Sequence, residues 1–318
     1  MKYSERLGNN ALVPVVVIED AKNAVPTARA LLAGGIDVME ITLRTAAAMD
    51  AIRAVVAEVP EMLVGAGTVL NLEQAKAVVT AGGKFIVAPG FDPETVKWCM
   101  ENDITVTPGC VTPTEIMAAL KLGVDVIKFF PANVYGGLAA MKGLAGPFVG
   151  IKFIPTGGVN GQNIGEYAAA PFVHTVGGSW VCTKKDISEG NFEKITALCR
   201  EAVEGSLGFE LAHVGINTQS GDAAMSVATE FDRAFGFGVK DGNSSTFAGK
   251  GVEVMKTMFL GSNGHIAVKT NNIKRALAFL GAKGFEADME TAKYKSDKMI
   301  AVYLKNEMGG FAVHLLQK

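Results

Sequence analysis

Lys128 stands in the middle of residues 124–132 (VDVIKFFPA), a short apolar run of β-forming residues. An ammonium in a buried strand has to be desolvated, which is costly. The plain reading is an edge strand, or a lysine whose stem packs while its head reaches water. The chemical reading is an amine held partly uncharged, ready to attack a carbonyl. Other residues bear on that choice. Residues 38–44 (VMEITLR) alternate, so Glu40, Thr42 and Arg44 share one face of a strand and Met39, Ile41 and Leu43 the other. By the same rule Lys128 shares a face with Phe130. Thr156-Gly157-Gly158 and Gly177-Gly178-Ser179 are paired-glycine turns that expose backbone N–H groups to an anion such as a phosphate. A lysine beside a glutamate and an arginine fits Schiff-base chemistry on a 2-oxo acid. The amine adds to the ketone, the protonated imine withdraws electrons, the glutamate moves protons, and the arginine or backbone holds the carboxylate. That route needs no metal or other cofactor. A buried layer of ion pairs with no chemistry is the competing reading.

The elements around these residues decide how they meet. Strands are expected at 12–18, 38–43, 63–69, 85–88, 104–107, 126–130, 152–155 and 174–177. Helices are expected near 21–34, 46–59, 72–81, 93–102, 113–122, 137–144, 163–170 and 188–204. Strict alternation with apolar strands means a parallel sheet covered by helices. Eight units fit a (β/α)8 TIM barrel. The competitor is an open doubly wound sheet, which carries a glycine-rich turn after its first strand. Here that strand is followed by Glu19-Asp20-Ala21-Lys22, with no glycine. In a barrel, function sits at the C-terminal strand ends. Those ends carry Glu40, Thr42 and Arg44, then Gly65-Ala66-Gly67-Thr68, Pro89-Gly90, Pro108-Gly109, Lys128 and the two paired-glycine turns. His174, just before the last turn, reads as structural.

Composition narrows the partners. The chain has 318 residues, enough for two domains, and a net charge of −2 with no basic block. Nothing in that pattern points to a nucleic-acid partner. No apolar run reaches membrane-spanning length and the first ten residues lack a signal core. Cys99, Cys110, Cys182 and Cys199 show no metal-ligand spacing and read as buried, reduced thiols. A cytoplasmic protein is expected.

The motifs VMEITLRT, VGAGTV, APG, TPG, IKFFPA, PTGG and GGSW follow one another at spacings that resemble the 2-keto-3-deoxy-6-phosphogluconate / 2-keto-4-hydroxyglutarate (KDPG/KHG) aldolases. The resemblance covers about residues 8–206. It implies a class I, lysine-dependent (β/α)8 enzyme that forms homotrimers. By motif, Lys128 is the imine-forming lysine and Glu40 the general acid/base. Arg44 and Thr68 hold the oxo-acid end, Pro89 and Phe130 line the site, and Gly157, Gly158 and Ser179 bind phosphate. The substrate so implied is 2-keto-3-deoxy-6-phosphogluconate, 4-hydroxy-2-oxoglutarate, or both.

The barrel pattern stops near Glu204, and residues 205–208 (GSLG) read as a linker. Residues 1–206 thus form one expected domain and 207–318 a second, smaller α+β one. Its strands are expected at 211–217, 251–260, 265–269, 300–304 and 311–316, with others before residue 251, and its helices at 221–235 and 273–280. AHVGIN, a helix and FGFG match GHIAVKT, a helix and GAKGF, while VEVMKTMF matches AVHLLQK. Paired βαβββ units of this kind resemble the glyoxalase/vicinal-oxygen-chelate superfamily. The resemblance implies metal ligands on the first and last strands of each unit, here His213, Glu253, His265 and His314. These residue types are ordinary ligands for a divalent transition metal. His314 departs from the pattern, which has a carboxylate there. A metal-dependent glyoxalase-like activity and a non-catalytic ligand-binding or oligomerisation module both stand as readings of this domain.

Overall fold

The computed structural model describes residues 3–318. They fall into two compact units that divide between Ser206 and Leu207.

The first unit opens with a short helix, α1 (Tyr3–Asn9), that the sequence reading did not anticipate. Its seven residues are too few to show a helical period. Tertiary contacts hold it instead. Arg6 Nε donates to Asp37 Oδ2 at 2.8 Å, and His174 Nε2 lies 2.8 Å from the Ser4 carbonyl oxygen. Eight strands follow: β1 (Leu12–Val16), β2 (Val38–Thr42), β3 (Leu63–Gly67), β4 (Phe85–Val87), β5 (Thr105–Thr107), β6 (Val126–Phe129), β7 (Lys152–Pro155) and β8 (Val176–Gly178). The helices between them are α2 (Ala24–Ala33), α3 (Ala48–Glu58), α4 (Leu72–Thr80), α5 (Pro93–Glu101), α6 (Pro113–Lys121), α7 (Gly137–Ala145) and α8 (Ile164–Ala169). After β8 come α9 (Lys184–Ser188) and α10 (Phe192–Leu207).

Local chemistry sets these boundaries. Asn71 and Asp92 accept from the backbone N–H groups of Gln74 and Thr95, capping α4 and α5. Thr112 and Glu115 form a capping box at α6, with Pro113 at the first helical position. All strand pairs in this unit are parallel. One ladder runs β5-β4-β3-β2-β1-β8 and a second joins β6 to β7. Isolated parallel bridges, Gly109 to Lys128 and Thr156 to Gly177, connect the two ladders. The result is a curled, TIM-barrel-like parallel sheet under helices.

Two boundaries differ from expectation. The helix expected at 188–204 starts only at Phe192, as α10; ahead of it stands the unexpected α9, and between the two the Asn191 backbone N–H donates to the Asp186 carbonyl. The expected linker at 205–208 is helical as far as Leu207, because the buried stripe Ile195, Cys199, Ala202, Val203 and Leu207 continues at helical spacing. Gly208, with φ +55°, follows the helix.

The second unit is one mixed sheet of eight strands. In chain order it runs β9 (Glu210–Asn217), α11 (Gly221–Phe235), β10 (Val239–Asp241), β11 (Ser245–Ala248) and β12 (Val252–Met255). The same order then repeats as β13 (Gly264–Thr270), α12 (Ile273–Gly281), β14 (Ala287–Lys295), β15 (Lys298–Leu304) and β16 (Phe311–Gln317). The spatial order is β10-β11-β12-β9-β13-β16-β15-β14, so the halves meet at β9 and β13. The strand expected at 251–260 ends at Met255. Met258, Phe259 and Leu260, which extended the apolar run, are exposed beyond it. Helix α11 packs Ala224 and Ala228 on Ala248 and Val254, covering one face of the sheet. Among the described residues no helix is long and apolar enough to cross a membrane.

Candidate active site and candidate metal centre

Strand alternation sends Glu40 and Lys128 inward from β2 and β6. They are 3% and 6% exposed, and Lys128 Nζ lies 3.4 Å from Glu40 Oε1. The backbone of Lys128 is fixed on its β5 side: its N–H donates to the Pro108 carbonyl at 2.9 Å, and its carbonyl accepts from Cys110 at 3.0 Å. Its Nζ also stands 5.3 Å from the Phe130 ring centroid. Glu40 needs the absence of a side chain opposite. A Cβ on Gly67 would lie 1.9 Å from Glu40 Oε1.

A cavity of about 320 Å³ opens above this pair. Glu40, Arg44, Thr68, Pro89, Lys128, Phe130, Gly157, Gly158 and Ser179 all line it. The strands thus bring together every first-unit residue to which the family resemblance gave a site role, whereas Gly65, Ala66, Gly67, Gly90, Pro108 and Gly109 do not line the cavity. Thr68 has φ +59°, a left-handed backbone uncommon outside glycine, at the point where β3 meets the cavity. Gly157 and Gly158 have φ +92° and +78°. Side chains at both would be strained, and a Cβ on Gly158 would strike Asn133.

The cavity has further walls. Val15 and Val159 line it and passed unremarked, because a valine in an apolar run carries no chemical signal. Thr156 also lines it, and its Oγ1 is buried without a hydrogen-bond partner. The sequence showed this threonine only as the residue before two glycines. Thr42, by contrast, spends its hydroxyl on the Val16 carbonyl at 3.2 Å. A buried amine, an opposed carboxylate and a mouth of backbone N–H groups suit imine formation on an anionic carbonyl compound. Cys110, next to this site, is not a competing nucleophile, since burial pushes its thiol up to about 12.

The second unit gathers a different set. His213, His265 and His314 each place one ring nitrogen within 4.8 Å of the others. Glu253 Oε2 lies 2.9 Å from His213 Nε2 and 3.2 Å from His265 Nε2, and those two nitrogens are 3.2 Å apart. Ser245 Oγ donates to the other carboxylate oxygen at 2.6 Å, which orients Glu253. His314 Nε2 is buried with no partner.

These residues fit a divalent transition metal. Donor atoms on one such ion, at bonds of about 2.0–2.1 Å, lie roughly 2.9–3.4 Å apart. Two imidazole nitrogens crowded against one carboxylate oxygen match that spacing, and the orphaned nitrogen of His314 is left for the same centre. The register explains the grouping. Glu253 pairs with Gly215, two residues after His213, and His314 pairs with Ala267, two residues after His265. Each half therefore supplies two of the four.

Comparison with known proteins bears on the first unit. The KDPG and KHG aldolase family matches residues 4–198. A KHG/KDPG aldolase of Escherichia coli K12 is 44% identical over 200 residues, covering 63% of this chain and 94% of that protein. A 2-dehydro-3-deoxy-phosphogluconate aldolase of Treponema pallidum is 44% identical over the same length, covering 95% of its own chain. The crystal structure of a Legionella pneumophila KDPG aldolase, with pyruvate captured as a covalent carbinolamine, is 38% identical. It superposes with a TM-score of 0.62 over 64% of this chain and 98% of its own. With the buried lysine and its carboxylate in place, these matches settle the family: this chain belongs to the KDPG and KHG aldolases, class I carbon–carbon lyases.

Proposed function

We propose that the first unit is a (β/α)8 barrel in which Lys128 is the imine-forming nucleophile and Glu40 the general acid/base. The observation that carries this is the buried Lys128–Glu40 pair at 3.4 Å, facing a cavity rimmed by glycine turns. The Lys128 amine attacks C2 of 2-keto-3-deoxy-6-phosphogluconate, and loss of water leaves a protonated imine. Glu40, through a water, takes the proton of the C4 hydroxyl while the C3–C4 bond breaks into the imine. Glyceraldehyde 3-phosphate leaves. Glu40 returns a proton to C3 of the enamine, and hydrolysis frees pyruvate and Lys128. With 4-hydroxy-2-oxoglutarate the same steps release glyoxylate. Arg44 and Thr68 hold the substrate carboxylate, Pro89 and Phe130 flank the carbon chain, and Gly157, Gly158 and Ser179 take the phosphate. Borohydride reduction in the presence of pyruvate should leave a reduced adduct on Lys128, read by peptide mass. Full activity in Lys128→Ala would sink this assignment. We further read the enzyme as a cytoplasmic homotrimer, by its likeness to the family. Light scattering on the purified chain tests the assembly.

For the second unit, the order strand, helix, three strands, twice over, supports a glyoxalase-like domain of paired βαβββ units. Three convergent histidines, with the Glu253 carboxylate against two of them, support a divalent metal held by His213, Glu253, His265 and His314. Such an ion, when bound, polarises a carbonyl or acidifies a water. Ser245 fixes the Glu253 carboxylate for it, and Tyr303 stacks on His314 at 4.6 Å to hold that ring. Elemental analysis of the purified protein tests this reading. About one metal per chain, lost in His213→Ala, is expected. A metal-free protein that stays so after incubation with zinc, cobalt or nickel would leave the non-catalytic module as the reading.

A further inference from the structure

Asn163 stands where an N-cap would, immediately before α8, yet its side chain makes no capping bond. Both ends of its amide turn back to the preceding loop instead. Nδ2 donates to the Gly158 carbonyl at 2.9 Å, and Oδ1 accepts from the Asn160 backbone N–H at 2.9 Å. The neighbouring carbonyl, that of Gly157, accepts from the Asn133 backbone N–H at 3.3 Å. In a trans peptide the C=O and N–H point in opposite directions. Binding the Gly157 and Gly158 carbonyls therefore aims the N–H groups of Gly158 and Val159 the other way. Gly158 and Val159 both line the cavity. Among the described residues neither N–H has an acceptor. The left-handed backbone at Gly157 and Gly158, φ +92° and +78°, is what lets two successive N–H groups be turned so.

Charge makes that aim matter. Arg44 and Lys128 are the only cations among the residues that line the cavity, and the proposed mechanism spends them on the substrate carboxylate and ketone. A phosphate at the glycine turns then meets no ammonium or guanidinium, only N–H dipoles and Ser179. The pull of a dipole on an anion depends on its direction, and a peptide free to rotate could turn its carbonyl oxygen to the phosphate. We propose that Asn163 is a positioning residue for the phosphorylated end of the substrate. Its amide locks the peptide between Gly158 and Val159 with the N–H toward the cavity, and so sets the preference for a phosphorylated over an unphosphorylated 2-oxo acid. The proposal rests on the phosphate reading above.

The test compares full-length Asn163→Ala and Asn163→Asp with the wild type. Two readouts separate the phosphate end from the imine end. One is kcat/KM for 2-keto-3-deoxy-6-phosphogluconate, and the other is the pyruvate concentration that half-saturates borohydride trapping on Lys128. Asn163→Ala should lower the first at least about tenfold, mostly through KM, as expected when one charge-assisted hydrogen bond is lost. Asn163→Asp should lower it further, because its carboxylate repels the Gly158 carbonyl. Trapping of pyruvate, which carries no phosphate, should hold within about twofold in both. Equal losses in the two readouts, or no loss in either, would overturn the proposal. Inorganic phosphate keeps it apart from the reading beneath it. Phosphate should compete with the substrate in the wild type and more weakly in Asn163→Ala. Competition of equal strength in both would overturn the role of Asn163 and leave the phosphate site standing, and none in the wild type would overturn both.

Discussion

At the scale of single residues, the proposed mechanism turns on the contact between Lys128 and Glu40. Their roles separate under substitution. Glu40→Gln keeps the hydrogen-bonding shape but cannot shuttle a proton. We expect kcat to fall about 10²–10⁴-fold, while borohydride still traps pyruvate on Lys128. Gly67→Ala acts on the same carboxylate from outside, because the added Cβ would take the place of Glu40 Oε1. A shift of about 1 Å in a catalytic group costs roughly 10²-fold, so steady-state kinetics should show that loss in a protein that remains folded by circular dichroism. The thiols make a contrasting prediction. Burial pushes Cys99, Cys110 and Cys199 up to about 12 and Cys182 further. Thiol reagents at pH 8 should label native protein only as fast as it opens, and unfolded protein at once. Lys128, Glu40 and Arg44 were legible in the sequence because a charge in a β-type apolar run is conspicuous. Thr156 was not. Its buried, unpartnered hydroxyl is a property of the curled sheet, which brings β7 to the cavity, and no spacing rule reports it.

Elements carry the next level of argument. Apolar runs and period-3.6 patterns placed the eight parallel strands and the helices between them, since the strands are largely buried and α4, α5 and α6 are capped by their own sequence. What escaped was short and tertiary. Helix α1 is held by Asp37 and the His174 ring, from 31 and 170 residues away. Helix α9 is five residues pinned by Asp186, which accepts from Lys194 at 2.9 Å and Thr183 at 2.6 Å. Those bonds, Lys194 first and then Thr183, hold the Asp186 carboxyl down at about 2, against an ordinary 3.8. A depressed carboxylate stabilises the fold above its unfolded pKa and loses that contribution as pH falls through its folded one. The melting temperature of Asp186→Asn should therefore trail the wild type at neutral pH. The gap should narrow between about pH 4 and pH 2, followed by differential scanning fluorimetry. In the second unit the repeat was visible as matching segments, and pairing turned it into a register. Sequence matching located the four donors on strands, but only the order β12-β9-β13-β16 makes them one cluster.

At the scale of the whole molecule, the buried Lys128–Glu40 pair and the histidine cluster lie in different units. Imine catalysis in the first requires only side chains and backbone, so stripping metal from the full-length protein with a chelator should leave aldol cleavage unchanged. The same treatment should abolish any cobalt or zinc signal that depends on His314. An aldol rate that collapses on chelation and recovers with added metal would count against a class I mechanism for the first unit.

The seam between β9 and β13 carries a last consequence. His213 and Glu253 belong to one half of the second unit, His265 and His314 to the other, and two donors seldom retain an ion against water. A bound metal is then a clasp across a duplicated chain. It tightens only the paired state of the halves, by an amount that grows with the logarithm of free metal. Hydrogen exchange along β9 and β13 would slow with added metal, while exchange in α11 and α12, each interior to its own half, would follow only if the halves open together.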